Sequence, residues 1–146
     1  MASHSVILLK TQDEAMYTYA PLPEHLVEGS KAMKENNDCT VKALALALNT
    51  SYAKAHAHLK RFCGRPDRKG IVSRDVLPQS FKNTKHRVGP YTIRNKVTLK
   101  KFCELHPQGR YYVSVRGHAI AVVDGVVYDH SDRPRRQVTF AIRVYV

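Results

Sequence analysis

Apolar positions follow two different rules along this chain. In residues 39–63 and 99–106 they recur at helical spacing, and after residue 110 they alternate. Val41, Leu44, Ala45 and Leu48 form one stripe of a helix opening at Cys39, and Ala43, Leu46 and Ala47 fill most of the remaining circumference. This helix is therefore predicted to be buried nearly all round, with Asp38 as its N-cap. Asn49-Thr50-Ser51 breaks it and caps a second helix, Tyr52 to Cys63, whose inner face is Tyr52, Ala55, Leu59 and Phe62 and whose C′ residue is Gly64. Thr98 caps a third, Leu99 to His106, with Leu99, Phe102, Cys103 and Leu105 inward; Pro107 and Gly109 stop it.

Arg110 to Arg116 alternates, His118 to Val123 follows after Gly117, and Asp124-Gly125 is a two-residue hairpin signal before Val126 to Asp129. Three consecutive antiparallel strands result, and Gln137 to Val146 supplies a fourth. Helices first and an antiparallel sheet afterwards predict an α+β domain, with the buried N-terminal helix packed on the C-terminal sheet.

Two stretches are less legible. In residues 1–37, Ser5 to Thr11 has strand character and Glu24 to Glu35 has weak helical periodicity, so this arm is expected to pack as an edge element. Gly64 to Val97 is rich in glycine, proline and charge, and is expected to be a long basic loop in which only the short segments around Ile71-Val72, Val76-Leu77 and Tyr91-Thr92-Ile93 are able to pack.

Charge sharpens that contrast. The chain carries 24 Lys and Arg against 12 Asp and Glu, yet residues 1–38 are net −3, so the remainder holds +15. Such a field attracts polyanions or an acidic protein. The candidate polyanion-binding residues are Arg65, Arg68, Lys69, Arg74, Lys82, Lys85, Arg87, Arg133, Arg135 and Arg136, with Tyr91, Tyr111 and Tyr112 available to stack on bases. No helix-turn-helix or zinc-finger spacing is present, which argues against sequence-specific DNA reading. His56 and His58 are two apart and face different ways, so no metal site and no cofactor is expected. Three cysteines without framework spacing predict free thiols, and 146 residues suit one domain. No stretch approaches a membrane span or a signal peptide, and a cytoplasmic location is expected.

The chemistry concentrates on Cys39. At the first position of a helix its thiol feels the positive end of the helix dipole and unpaired backbone donors, which favour the thiolate. Pairing strands across Asp124-Gly125 sets 123 opposite 126 and 121 opposite 128. His118 and Asp129 then lie at one end of the hairpin, where a carboxylate can orient an imidazole that serves as proton acceptor for a thiol. Asp132 is an alternative orienting group.

In this order, a cysteine at the mouth of a buried helix and a later sheet carrying His and then Asp, the sequence resembles the papain-like cysteine peptidase superfamily. More closely, residues 36–146 resemble small phage-encoded members of the bacteriocin-processing-peptidase kind. These share the Asn-Asp-Cys-Thr-Val-Lys-Ala-Leu-Ala start, the Tyr-x-x-Ala-His helix and the Gly-Arg-Tyr-Tyr-Val-Ser-Val-Arg-Gly-His-Ala-Ile-Ala-Val-Val-Asp-Gly-Val-Val-Tyr-Asp finish. The resemblance implies Cys39 as nucleophile, His118 as general base then acid, and Asp129 as the group fixing the imidazole, acting on a protein or peptide substrate in the host cytoplasm. Many such enzymes complete the oxyanion hole with a Gln six residues before the cysteine. Met33 stands there, leaving Asn36 or Asn37 and the Cys39 backbone N–H as the expected donors. The rival expectation is an inactive scaffold that grips nucleic acid or an acidic host protein through its basic residues.

Overall fold

A computed structural model describes residues 17–71, 77–82, 84–92 and 97–146. The proposed strand at Ser5 to Thr11 and the candidate Arg74 lie outside these residues. In chain order the elements are β1 (Thr18–Ala20), α1 (Glu24–Ala32), α2 (Cys39–Leu48), α3 (Tyr52–Cys63), a 3-10 turn (Pro78–Phe81), β2 (Arg87–Thr92), α4 (Leu99–Leu105), β3 (Arg110–Val115), β4 (His118–Val123), β5 (Val126–Tyr128) and β6 (Val138–Tyr145). The fold is mixed α+β. All six strands join one sheet in the order β1-β5-β4-β3-β6-β2, antiparallel except where β1 runs parallel to β5.

Local signals at the helix ends act as expected in most places. The Ser51 and Thr98 hydroxyls accept from the N–H groups of Lys54 and Lys101, and Gly64 adopts the left-handed conformation after α3 at φ +68°. The Asp124-Gly125 turn, with φ +49° and +78°, sets Ala121 opposite Tyr128 and Val123 opposite Val126.

Alternation along the strands loads both faces of the sheet. Tyr112, Ala119, Ala121, Phe140 and Ile142 meet α1, α2 and α3 on one side, while Tyr111, Val113, Ile120, Val122 and Val127 meet Leu99, Phe102 and Cys103 of α4 on the other. Helix α2 lies across β4 and β3. At its contact with β4 the sheet presents Ala119 and Ala121, both buried and small, so the helix can approach closely.

Three expectations need correction. Gly64 to Val97 is not one long loop: Leu77 and Phe81 are buried and β2 pairs with β6, with an irregularity between Val88 and Tyr91 where Gly89 and Pro90 interrupt the ladder. Pro cannot donate to a ladder, which is why the segment looks unlike a strand and why it sits at the sheet's edge. Phe62 and Leu105, assigned inward on periodicity, are 42% and 51% exposed, because each lies in the last turn of its helix where the core has ended. Cys63 is half-buried and Cys103 is fully buried; all three cysteines are free. Among the described residues no helix is long and apolar enough to cross a membrane.

Candidate active site

Cys39 is the first residue of α2, and the residue before it ties three helices together. The Asp38 carboxylate does not cap the helix as expected. Its Oδ2 instead accepts from the hydroxyls of Ser30 on α1 (2.6 Å) and Tyr52 on α3 (2.7 Å), and its Oδ1 pairs with Lys42 at 3.3 Å. Burial alone would raise the Asp38 pKa, but these donors hold it below its ordinary value. A buried carboxylate gains more from two hydroxyls and an ammonium than from a solvent-side cap. Asp38 thus anchors the tip of α2 from outside the helix.

His118 opens β4 and Asp129 directly follows β5, and the hairpin register brings them together with 2.7 Å between Nε2 and Oδ1. An ionised carboxylate only accepts, so Nε2 carries the proton and Nδ1 is left for the thiol. Asp129 is itself held firmly. Its side chain is almost fully buried, its Oδ1 also accepts from the His130 N–H, its carbonyl accepts from the Tyr19 hydroxyl, and its N–H donates to Ala20 of β1. The edge strand therefore buttresses the third member of the site. Asp132, the alternative orienting group, is exposed and accepts instead from Tyr17 at 2.7 Å.

The thiol completes the chain of contacts. Burial pushes the Cys39 pKa up, but the hydrogen-bonded His118 ring and the backbone N–H groups of Ala119 and Thr40 outweigh it and bring the thiol below its ordinary value. His118 responds in the opposite sense: the Asp129 carboxylate, then the Cys39 sulfur, push the imidazole up to about 9. Both shifts run in the direction of a thiolate beside an imidazolium. Cys39 remains partly open to solvent.

Two cavities meet at this pair. One, about 560 Å³, is lined by Cys39, Gly70, Ile71, Ser114, Arg116 and Thr139 among others; the second, about 310 Å³, by Leu22, Asn37, Lys42, Tyr128 and His130. Cys39, Gly117, His118 and Ala119 border both, so a cleft passes over the thiol. Thr40, buried beside Cys39, has a hydroxyl without a hydrogen-bond partner.

The remaining expected site residues are placed unevenly. Asn36 is exposed, and the Asn37 amide, beside the second cavity, donates to the Arg68 carbonyl at 3.2 Å and to the Asn36 side-chain oxygen at 3.4 Å. Met33 is 41% exposed and bonds to nothing in the cleft. Arg65, expected on a polyanion-binding surface, is 2% exposed, and this expectation is corrected. Its guanidinium grips both oxygens of Glu35, at 2.9 and 3.2 Å, and Glu35 also accepts from the Arg68 N–H. This buried fork ties the chain after α3 to the loop before Cys39 and so builds the Gly70–Ile71 wall of the larger cavity. Arg68, Lys69, Lys82, Lys85, Arg87, Arg133 and Arg135 are exposed, and Arg136 donates to the Arg116 carbonyl near the cleft. Nothing in the local sequence marks Glu35 and Arg65 as partners, since 30 positions separate them.

Two groups bring metal-ligating atoms within 4.8 Å of one another among the described residues: His118 with Asp129 and His130, and Glu35 with His56 and Asp67. In the first the atoms already hydrogen-bond one another, and in the second the Arg65 cation holds Glu35. No family model, curated protein or solved structure matches the chain.

Proposed function

We propose that the protein is a cysteine-dependent acyl-transfer hydrolase, of the peptidase, isopeptidase or amidase kind, working through Cys39, His118 and Asp129. One observation carries this reading: the Cys39 thiol interacts with an imidazole that is itself 2.7 Å from a buried carboxylate, and thiol and imidazole both border two adjoining cavities. The resemblance of residues 36–146 to papain-like, phage-encoded peptidases supports it, and the same contacts shift thiol and imidazole in the direction of a thiolate–imidazolium pair.

The thiolate adds to the carbonyl carbon, and the electron pair of the C=O moves to oxygen. With the Asn37 amide turned to Arg68, the oxyanion falls to the Cys39 backbone N–H at the helix start. Collapse of this intermediate breaks the C–N bond, and His118 gives its Nδ1 proton to the departing amine. The thioester left on Cys39 is attacked by water, which passes a proton back to His118 and restores the thiolate after the acid leaves. Asp129 keeps the ring oriented throughout and stabilises its charged form.

Acylation by p-nitrophenyl acetate tests the proposal without knowledge of the natural substrate. Expected is a burst of p-nitrophenol with one acetyl group on Cys39 by mass spectrometry, lost in Cys39→Ala and slowed by about a hundredfold or more in His118→Ala. Equal labelling of Cys39 and Cys63, indifferent to His118, would sink it.

A further inference from the structure

A second cavity of about 480 Å³ lies at the other end of α2 from the thiol. Leu48 lines it while Cys39 begins the helix, so about 14 Å of helix separates the two places. One face of α3 forms its floor: Lys54, His58, Arg61 and Phe62 recur at helical spacing, and Lys85 and His86 close it from the segment before β2. No carboxylate lines the cavity, and Lys54, Arg61 and Lys85 have no carboxylate partner among the described residues. The negative end of α2, which would repel an anion here, is covered by the Arg110 guanidinium on the carbonyls of Leu46 and Ala47.

Aromatic surface accompanies the charge. Phe62 is 42% exposed, with the Arg61 guanidinium 5.2 Å from its ring centre. Behind it His58 is wedged between Phe62 and Phe81, at 5.0 and 4.9 Å, with His86 edge-on to both His58 and Phe81. Burial, with the His86 charge second, pushes His58 down to about 4, so at neutral pH it serves as a flat neutral ring. Its Nε2 lies 2.9 Å from the Ser80 hydroxyl, whose own proton goes to the Leu77 carbonyl, so the ring is fixed in place. An apolar ring exposed to solvent, braced from behind and bordered by three cations without a carboxylate partner among the described residues, is how proteins stack a base while neutralising its phosphate.

We propose that this cavity binds a nucleotide, the base stacked on Phe62 and the phosphate held by Lys54, Arg61 and Lys85. The nucleotide could arrive free or within a single strand, and the same chemistry serves both. The site is separate from the cleft over Cys39 and does not depend on its activity.

Binding of a short fluorescein-labelled oligothymidine to the full chain, followed by anisotropy at several salt concentrations, is the test, with thymidine monophosphate as competitor. Phe62→Ala is expected to weaken binding at least about fivefold with little change in salt dependence. Arg61→Ala should lower the magnitude of the log–log salt slope by about 0.7. Both residues are exposed, so circular dichroism should find their variants folded, and Cys39→Ala should bind as the parent does. Competition by the monophosphate near the strand's own affinity identifies a free nucleotide as ligand; competition only by unlabelled strand identifies the strand. The proposal is overturned if polyglutamate competes as well as the strand does and Phe62→Ala is silent, since charge alone, or an acidic protein, then accounts for the surface. It is equally overturned if binding is absent, or if it is lost in the triple variant Arg133→Ala, Arg135→Ala, Arg136→Ala and untouched by Lys54→Ala and Arg61→Ala.

Discussion

At the scale of single residues, Cys39 stands apart from the other two thiols by its surroundings. Burial pushes Cys63 up, and Cys103 up to about 12, with little to offset it, whereas Cys39 has an imidazole and two backbone N–H groups directed at it. Iodoacetamide at mildly acidic pH should therefore alkylate Cys39 first, and peptide mapping should find that selectivity gone in His118→Ala. Between the acid limb, where the thiolate is protonated, and the alkaline limb, where His118 loses its proton near 9, turnover should plateau. Thr40 offers a different test. Its buried hydroxyl has no partner, a state that costs about 1–3 kcal/mol, and valine has nearly the same shape. Thr40→Val should raise stability in urea by about 1 kcal/mol, and a loss instead would mean the hydroxyl is bonded in solution. At this scale the sequence was informative about Cys39, His118 and Asp129, because helix start, strand start and hairpin turn are local signals. It misled about Arg65, whose charge suggested a binding surface but is buried against Glu35 through tertiary packing alone.

Elements set where those residues go. Gly29 on α1 lies so close to α3 that an added Cβ would come within 2.6 Å of the Tyr52 Cβ. Alanine is favoured over glycine in a helix by about 1 kcal/mol, but an atom forced into a packed contact costs about 1–3 kcal/mol. The contact is side chain against a rigid ring, so the clash should win. Gly29→Ala is expected to destabilise the protein in a urea melt and, by displacing Tyr52 from Asp38, to slow Cys39 alkylation. Stabilisation by the substitution would show that α1 can slide. The Asp124-Gly125 turn made the β4–β5 register readable in advance, since turn geometry leaves one pairing. Strand β1 was not read from the sequence, which offered Ser5 to Thr11 as the arm's strand: its parallel pairing with β5 joins chain segments more than 100 residues apart and leaves no local trace. Strand β2 was hidden by Gly89 and Pro90.

For the molecule as a whole, two buried ionic contacts bound the pH range of stability. The Arg65 guanidinium, with help from His56 and the Arg68 N–H against the cost of burial, holds the Glu35 carboxyl down to about 2 from an ordinary 4.5. A depressed carboxylate stabilises fully above its unfolded value, so this contribution fades as pH falls from 4.5 towards 2. His118 has the opposite sign: raised from 6.5 to about 9, it stabilises below 6.5 and the effect is lost as pH climbs through 9. Thermal melts should accordingly be highest between these limits. Glu35→Gln, which strands the Arg65 charge in the interior, should cost about 3–5 kcal/mol near neutrality and flatten the acid limb. An unchanged acid limb would place the titration elsewhere. Helices packed before a sheet were legible from hydrophobic spacing because each signal spans a few turns; the covering of both sheet faces was not, since alternation alone does not say what lies on either side.

Ala119 and Ala121 carry a consequence of their own. No covalent or ladder bond joins α2 to β4, so how closely the sulfur approaches the imidazole depends on two methyl groups that act as a thin shim between backbone layers. Thickening that shim by Ala121→Val should lift the helix without unfolding it, and Cys39 would lose its depressed acidity while His118 and Asp129 keep theirs in register. The alkylation rate of one thiol then becomes a gauge of interlayer spacing, readable in any variant whose change lies far from the cleft.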